Sequence, residues 1–294
     1  MSHTHHAVFE SLLVSAALTL ATLVYVRGLV RTRRVAPDTI EPWRAISFLL
    51  GLSFIWLAMA SPIAALDHEL LTVHMVQHLL LMTLAPPLIW LGAPMKTRLQ
   101  GLPQGSVRVA RSCFRSTALQ RLGRAIAQPT VCWLAAAGTL VGWHVPAAFM
   151  LGMRSEVWHG IEQASFLGAG LLFWWPVVWS NSMASNRSGW SILLYLFLAT
   201  LPCDILSGLL VFCDRVVYPV YFSSGHMLGF SALEDQQCAG ALMWTCVTVV
   251  YLMAGTIFTA RLLLPDRSRQ YWLVKSGPQL GTAAQTTPRT MEVV

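Results

Sequence analysis

The chain is 294 residues long, 55% apolar and only 11% charged, with a formal net charge of +7. A water-soluble domain spends about a quarter of its residues on Asp, Glu, Lys and Arg, so this composition excludes an ordinary soluble globule. It points to a chain solvated by lipid, in which each crossing of about 30 Å of hydrocarbon takes roughly 20 mostly apolar helical residues.

Taken in chain order, the stretches that meet this requirement are Ala7 to Val26, Ala45 to Pro62, Leu70 to Gly92, Val131 to Val145, Val157 to Trp179, Trp190 to Phe212 and Ala239 to Leu262. Backbone groups inside a bilayer have no water to bond, so segments this apolar span as helices. The expected fold is all-α, a polytopic membrane bundle of about seven transmembrane helices. Residues 1–264 form that one domain, and no internal repeat or second domain is visible. Met1 to Glu10 lacks the basic n-region of a cleavable signal peptide, so the first helix is expected to insert as a span. The long loop, residues 93–128, is basic and without acidic residues; a position along anionic headgroups and a solvated loop both fit it. The polar tail, residues 265–294, reads as disordered.

Basic residues orient the bundle. Of the 20 Lys and Arg, only Arg154 and Arg215 fall on one side of this alternation. The positive-inside rule therefore predicts an N-terminus outside, a cytoplasmic C-terminus and a multi-pass protein of the inner (cytoplasmic) membrane. On this reading the positive charge is a topology signal, with no nucleic acid implied.

The nine histidines gather on the outer side. His3, His5 and His6 lie in the N-terminal tail, His226 in the last outer loop, and His68, His74 and His78 at or within the third span. His144 ends the fourth span and His159 starts the fifth. Outer loops take their polarity from residues other than Lys and Arg, which accounts for loop histidines without a function. It does not account for His78, since an ionisable group deep in a span is costly and marks a functional site by default. His74 and His78, four residues apart, share one helix face, a spacing at which two imidazoles reach one metal ion. His159, Glu162 and Gln163 share a face of the fifth span at spacings of three and four.

Two alternatives stand side by side at this point: a metal site of His74, His78, His144 and His159 with His68 at its rim, and a hydrogen-bonded cluster that glues helices or relays protons. Glu162, Asp204, Asp235 and Gln77 are candidates for charge balance or hydrogen bonds to the ligands. Imidazole and carboxylate suit zinc, copper or iron, while Met75, Met82, Met150, Met153 and Met227 in the outer half add weak support for copper. The six cysteines form no C-x-x-C motif, and Cys213 and Cys238 are a possible disulfide across the last outer loop.

Several runs together carry a resemblance. Gln77-His78-Leu79-Leu80-Leu81 is followed by Ala85-Pro86-Pro87-Leu88 and Gly92-Ala93-Pro94. Then come Trp143-His144-Val145-Pro146, His159-Gly160-Ile161-Glu162, Phe173-Trp174-Trp175-Pro176, Tyr218-Pro219-Val220-Tyr221, and Asp235-Gln236-Gln237 before Gly240 and Trp244. In this order, over residues 60 to 262, the chain resembles the CtaG family of caa-type cytochrome c oxidase assembly factors. The resemblance implies a non-catalytic role in maturing heme-copper cytochrome c oxidase, with transient copper and with oxidase subunits and periplasmic copper chaperones as partners. A membrane metal-dependent oxidoreductase or hydrolase, and a copper or proton transporter, are the alternatives that use the same cluster. A retinal protein is excluded, because the last span has no Lys.

Overall fold

The computed structural model describes residues 2–35, 41–92, 116–179, 189–222, 229 and 231–263, with the side chains of 2–10, 35, 189 and 261 left aside. Residues 93–115 of the basic loop, the tail 265–294, His226, Met227 and Cys113 lie outside the described residues. Every regular element among the described residues is helical. In chain order these are α1 (Ser2–Val35), α2 (Pro42–Met59), α3 (Leu71–Leu79), α4 (Ala85–Gly92), α5 (Thr117–Ile126), α6 (Pro129–His144), α7 (Pro146–Arg154), α8 (Glu156–Val178), α9 (Gly189–Phe212) and α10 (Ala232–Leu263). Short 3-10 turns occupy Ala64–Leu66 and Pro219–Phe222.

Five helical segments are long and apolar enough to cross a membrane: Ser11–Arg34, Pro42–Leu66, Leu71–Gly92, Trp190–Phe212 and Ala232–Ala260. A sixth results if α5 and α6, bent by 61°, count as one broken span. The difference from the seven expected stretches has a local cause in each case. α6 is only 16 residues long, about 24 Å at 1.5 Å per residue. α8, with 23 residues, has the length but carries Glu156, His159, Glu162 and Gln163 near its start, which lowers its apolarity. At the last span the helix begins at Ala232, so Glu234, Asp235 and Gln236 lie within its first turns.

α5 is amphipathic. Leu119, Leu122 and Ile126 are exposed along one face, with Gln120, Arg121 and Arg124 between them. The outward side chains of the long helices are apolar as well, with Phe197, Ile205, Phe212 and Leu252 all more than half exposed. Helices apolar on the outside as well as the inside suit a lipid surround.

The segment α3 to α4 is the axis of the bundle. Of its most apolar stretch 61% is buried, against 11% to 33% for the other four segments. It packs on α2, α8 and α10; α6 lies against α8 and α9, α9 against α10, and α1 joins mainly through α2. Gly92 allows this closeness, because a Cβ there would collide with the backbone of Arg44 and Phe48 in α2. Tyr25 from α1 donates to the Gly92 carbonyl at 2.7 Å.

A π-helical turn, Leu80–Leu84, joins α3 to α4. Pro86 brings no N–H, so the Met82 carbonyl four residues earlier loses its helical donor. The Trp174 indole N–H of α8 takes that place at 3.2 Å. Irregular helix is tolerated at membrane depth where a neighbouring helix satisfies the freed carbonyl in this way. It lies one turn below His78, in keeping with the frequent occurrence of π-turns beside functional sites.

Candidate metal centre

One end of the bundle is held by polar contacts between helix termini. The first N–H groups of a helix have no partner of their own. At α3 both go to one side chain: the Leu71 N–H donates to Asp235 Oδ2 at 2.7 Å and the Thr72 N–H to Oδ1 at 3.2 Å. The Thr72 hydroxyl adds a 2.6 Å bond to Oδ1. Gln236 next to it closes the end of α9, donating to the carbonyls of Leu210 and Arg215 and accepting from the Val217 N–H at 2.7 Å. α6 stops at His144 because Pro146 cannot donate back to it. The Tyr218 hydroxyl donates to the His144 carbonyl left over, at 2.9 Å.

Beside these anchors α8 packs against α6 and the α3 to α4 segment, and the histidines of α3, α6 and α8 meet. His74 and His78 lie on one face of α3 with ring centroids 4.4 Å apart. Glu162 of α8 enters between them, its Oε1 3.5 Å from His74 Nε2 and 3.4 Å from His78 Nε2. All three side chains are at most 5% exposed. Both ring nitrogens of His74 and of His78, and both oxygens of Glu162, are buried without a hydrogen bond. A buried polar group left unsatisfied costs about 1 to 3 kcal/mol, more if charged, so a cluster of them asks for a ligand. Two atoms bound about 2.05 Å from one tetrahedral ion stand roughly 3.3 Å apart, close to the separations found here.

The walls of this triad are apolar and close. The Phe166 ring stacks on His78 at 3.8 Å and the Phe149 ring meets His74 at 5.0 Å. On the remaining side Gly152 of α7 faces the carboxylate: a Cβ at that position would lie 2.6 Å from Glu162 Oε2. The backbone of Glu162 is fixed through Ser165, whose hydroxyl donates to the Glu162 carbonyl at 2.7 Å and receives the Trp143 indole N–H at 2.8 Å.

His144 stands beside the triad, 6.0 Å from His78 between ring centroids. Its Nδ1 lies 2.7 Å from the Leu140 carbonyl, and a carbonyl accepts only, so Nδ1 carries the proton. In the neutral ring Nε2 is then a bare lone pair. It points at the Met75 sulfur, 3.3 Å away and fully buried. Two electron-pair donors facing each other are poorly matched alone and well matched to a soft cation.

A second group lies nearer the surface, where Asp67, His68 and His159 bring ligand atoms within reach of a single ion. Asp67 Oδ2 accepts from Gln77 Nε2 and stands 3.2 Å from His159 Nε2, while Oδ1 is 3.8 Å from His68 Nε2. Asp67 is buried and His68 half exposed. The two groups adjoin, because the His159 ring stacks on His74 with centroids 5.7 Å apart.

The sequence candidates are thus distributed as follows. His74, His78 and Glu162 form the inner triad, His144 flanks it, and His68 and His159 belong to the rim with Gln77 bonded to it. Asp235 is engaged in capping α3. Asp204 is elsewhere, in a groove between α9 and α10 with Thr200, Thr248 and Tyr251. Cys213 and Cys238 are free thiols, as are Cys132, Cys203 and Cys246, so the possible disulfide is not formed. Sequence reasoning missed Asp67, Gly152 and the pairing of Met75 with His144. An acid adjoining His68 just before the histidine helix was the one signal for Asp67; nothing local marks Gly152.

Comparison with known proteins places this geometry. Proteins of Mycobacterium leprae, Mycobacterium bovis and Mycobacterium tuberculosis, each described as uncharacterized, are 23% identical to the chain. The match covers 84% of this chain and 38% of the first, and 88% of this chain and 40% of the other two. The chain thus spans about two fifths of the length of these relatives. No solved structure matches it. Residues 23–264, a stretch that contains both histidine groups, the π-turn and the Asp235 cap, match the cytochrome c oxidase caa3 assembly factor family (Caa3_CtaG), and the chain belongs to that family.

Proposed function

We propose that the chain binds copper at the histidine end of its bundle and passes it on during assembly of a heme-copper cytochrome c oxidase, without catalysing a reaction itself. His74, His78 and Glu162 hold the ion, His144 and Met75 offer a softer second position, and Asp67, His68 and His159 receive it from the aqueous side. The observation that carries this reading is the buried, unsatisfied triad. The thioether beside a bare imidazole nitrogen favours copper over harder ions. In the same reading seven helices span the inner membrane with the N-terminus outside, oxidase subunits are the acceptors, and periplasmic copper chaperones are donors.

A second reading has one observation behind it: two His and one Glu are also the donor set of hydrolytic zinc sites. Metal analysis of detergent-purified protein separates the two. Copper at about one ion or more per chain, lost in both His78→Ala and Glu162→Gln, is the expected result. Stoichiometric zinc in place of copper, or copper unchanged in both variants, overturns the copper site.

A further inference from the structure

The groove between α9 and α10 holds a carboxylate that the copper site does not use. Asp204 lies eight residues before the end of α9, about 12 Å into the span at 1.5 Å per residue. It is partly exposed and, among the described residues, makes no hydrogen bond or ion pair. Of the hydroxyls lining the groove, Thr200 donates to the Phe197 carbonyl, Thr256 to Leu252 and Thr259 to Gly255, while Thr248 and Tyr251 complete the polar lining. Below Asp204 the groove continues between Leu193, Leu196 and Phe197 of α9 and Leu252, Gly255 and Leu263 of α10. A Cβ built on Gly255 meets nothing within 4 Å, so the surface there is open to close approach.

A carboxylate presented to hydrocarbon without a partner is costly, and intramembrane acids are normally paired. We infer that this groove receives a transmembrane helix of another protein, one that presents Arg or Lys to Asp204 in the half of the membrane containing the histidines. Gly255 and the threonines let the two backbones come close, as small residues do at helix contacts in membranes. Among the described residues, a second copy of this chain offers no Lys or Arg inside the half of a span that holds Asp204. Arg27, Arg31, Arg33 and Arg34 run out of the far end of α1, Arg44 opens α2, and Arg154 and Arg261 stand at the ends of α7 and α10. Arg215, three residues past Phe212, lies outside the helix α9.

The inference is independent of copper and is tested without it. The full chain is reconstituted in neutral vesicles with a fluorescent Leu/Ala transmembrane peptide carrying one Arg about 12 Å from one end of its apolar stretch. Association is followed by energy transfer against the same peptide with Leu or Asp in place of Arg. The Arg peptide is expected to bind at least tenfold more tightly than the Leu peptide, with the Asp peptide weakest. Asp204→Asn, a near-isosteric change, and Asp204→Leu should both remove the preference while helicity and thermal unfolding stay unchanged. Equal binding of the Arg and Leu peptides, a preference that survives Asp204→Asn, or self-association of the chain that depends on Asp204, overturns the proposal.

Discussion

Gly152 and Met75 are two residues whose importance lies in what they place next to a neighbour. Gly152 leaves room for the Glu162 carboxylate, and a methyl at that position would lie 2.6 Å from Oε2. Gly152→Ala must therefore shift the carboxylate out of its position between His74 and His78. The expected outcome is copper binding at least tenfold weaker in a chelator competition titration, with helicity retained by circular dichroism. Met75 is buried with its sulfur 3.3 Å from His144 Nε2. Met75→Leu keeps the volume and removes the soft donor, a swap that cores tolerate at less than about 1.5 kcal/mol. Affinity for Cu(I) should fall while affinity for zinc stays within a factor of about two. Equal losses for both ions would show that the thioether does not discriminate.

Helix ends and helix faults decide whether these side chains meet. Asp235 receives both leading N–H groups of α3, so Asp235→Ala leaves both without that partner, the buried Leu71 N–H among them. A lost cap costs about 0.5 to 2 kcal/mol, and burial puts this one at the upper end. Denaturant unfolding in detergent should show that loss, together with weaker copper binding, because α3 carries His74 and His78. Trp174→Phe tests the π-turn in the same way: it orphans the Met82 carbonyl, at about 1 to 3 kcal/mol, while leaving the ring packing largely in place. The proline pair was legible in the run Ala85-Pro86-Pro87, and so was the stop at Pro146. What satisfied the carbonyls they release was not, since the donors Trp174 and Tyr218 are 92 and 74 residues away in the chain.

Across the whole bundle, a ligand that binds only the folded chain stabilises it by mass action, about 2.7 kcal/mol at a concentration one hundred times the dissociation constant. Copper should accordingly raise the midpoint of thermal unfolding of the wild type, and His78→Ala should abolish the rise. A wild-type midpoint indifferent to copper would mean that the triad is filled by nothing more than its own side chains. The helices themselves follow from composition and local pattern: lipid-length apolar stretches, prolines at their starts and histidines four apart all act through neighbours within a turn or two of chain. Those rules place His74 and His78 on one face of α3, and His159 and Glu162 on one face of α8. They are silent about which helices touch. Only packing between α3, α6, α7 and α8 brings Glu162 between two imidazoles, divides the histidines into an inner and a rim group, and sets Gly152 and Met75 against them. Packing also sends Asp204 to a groove of its own and turns Asp235 into a cap. The physical reason is range: backbone periodicity fixes the direction of a side chain from its own helix, whereas a site is made of directions that converge from different ones.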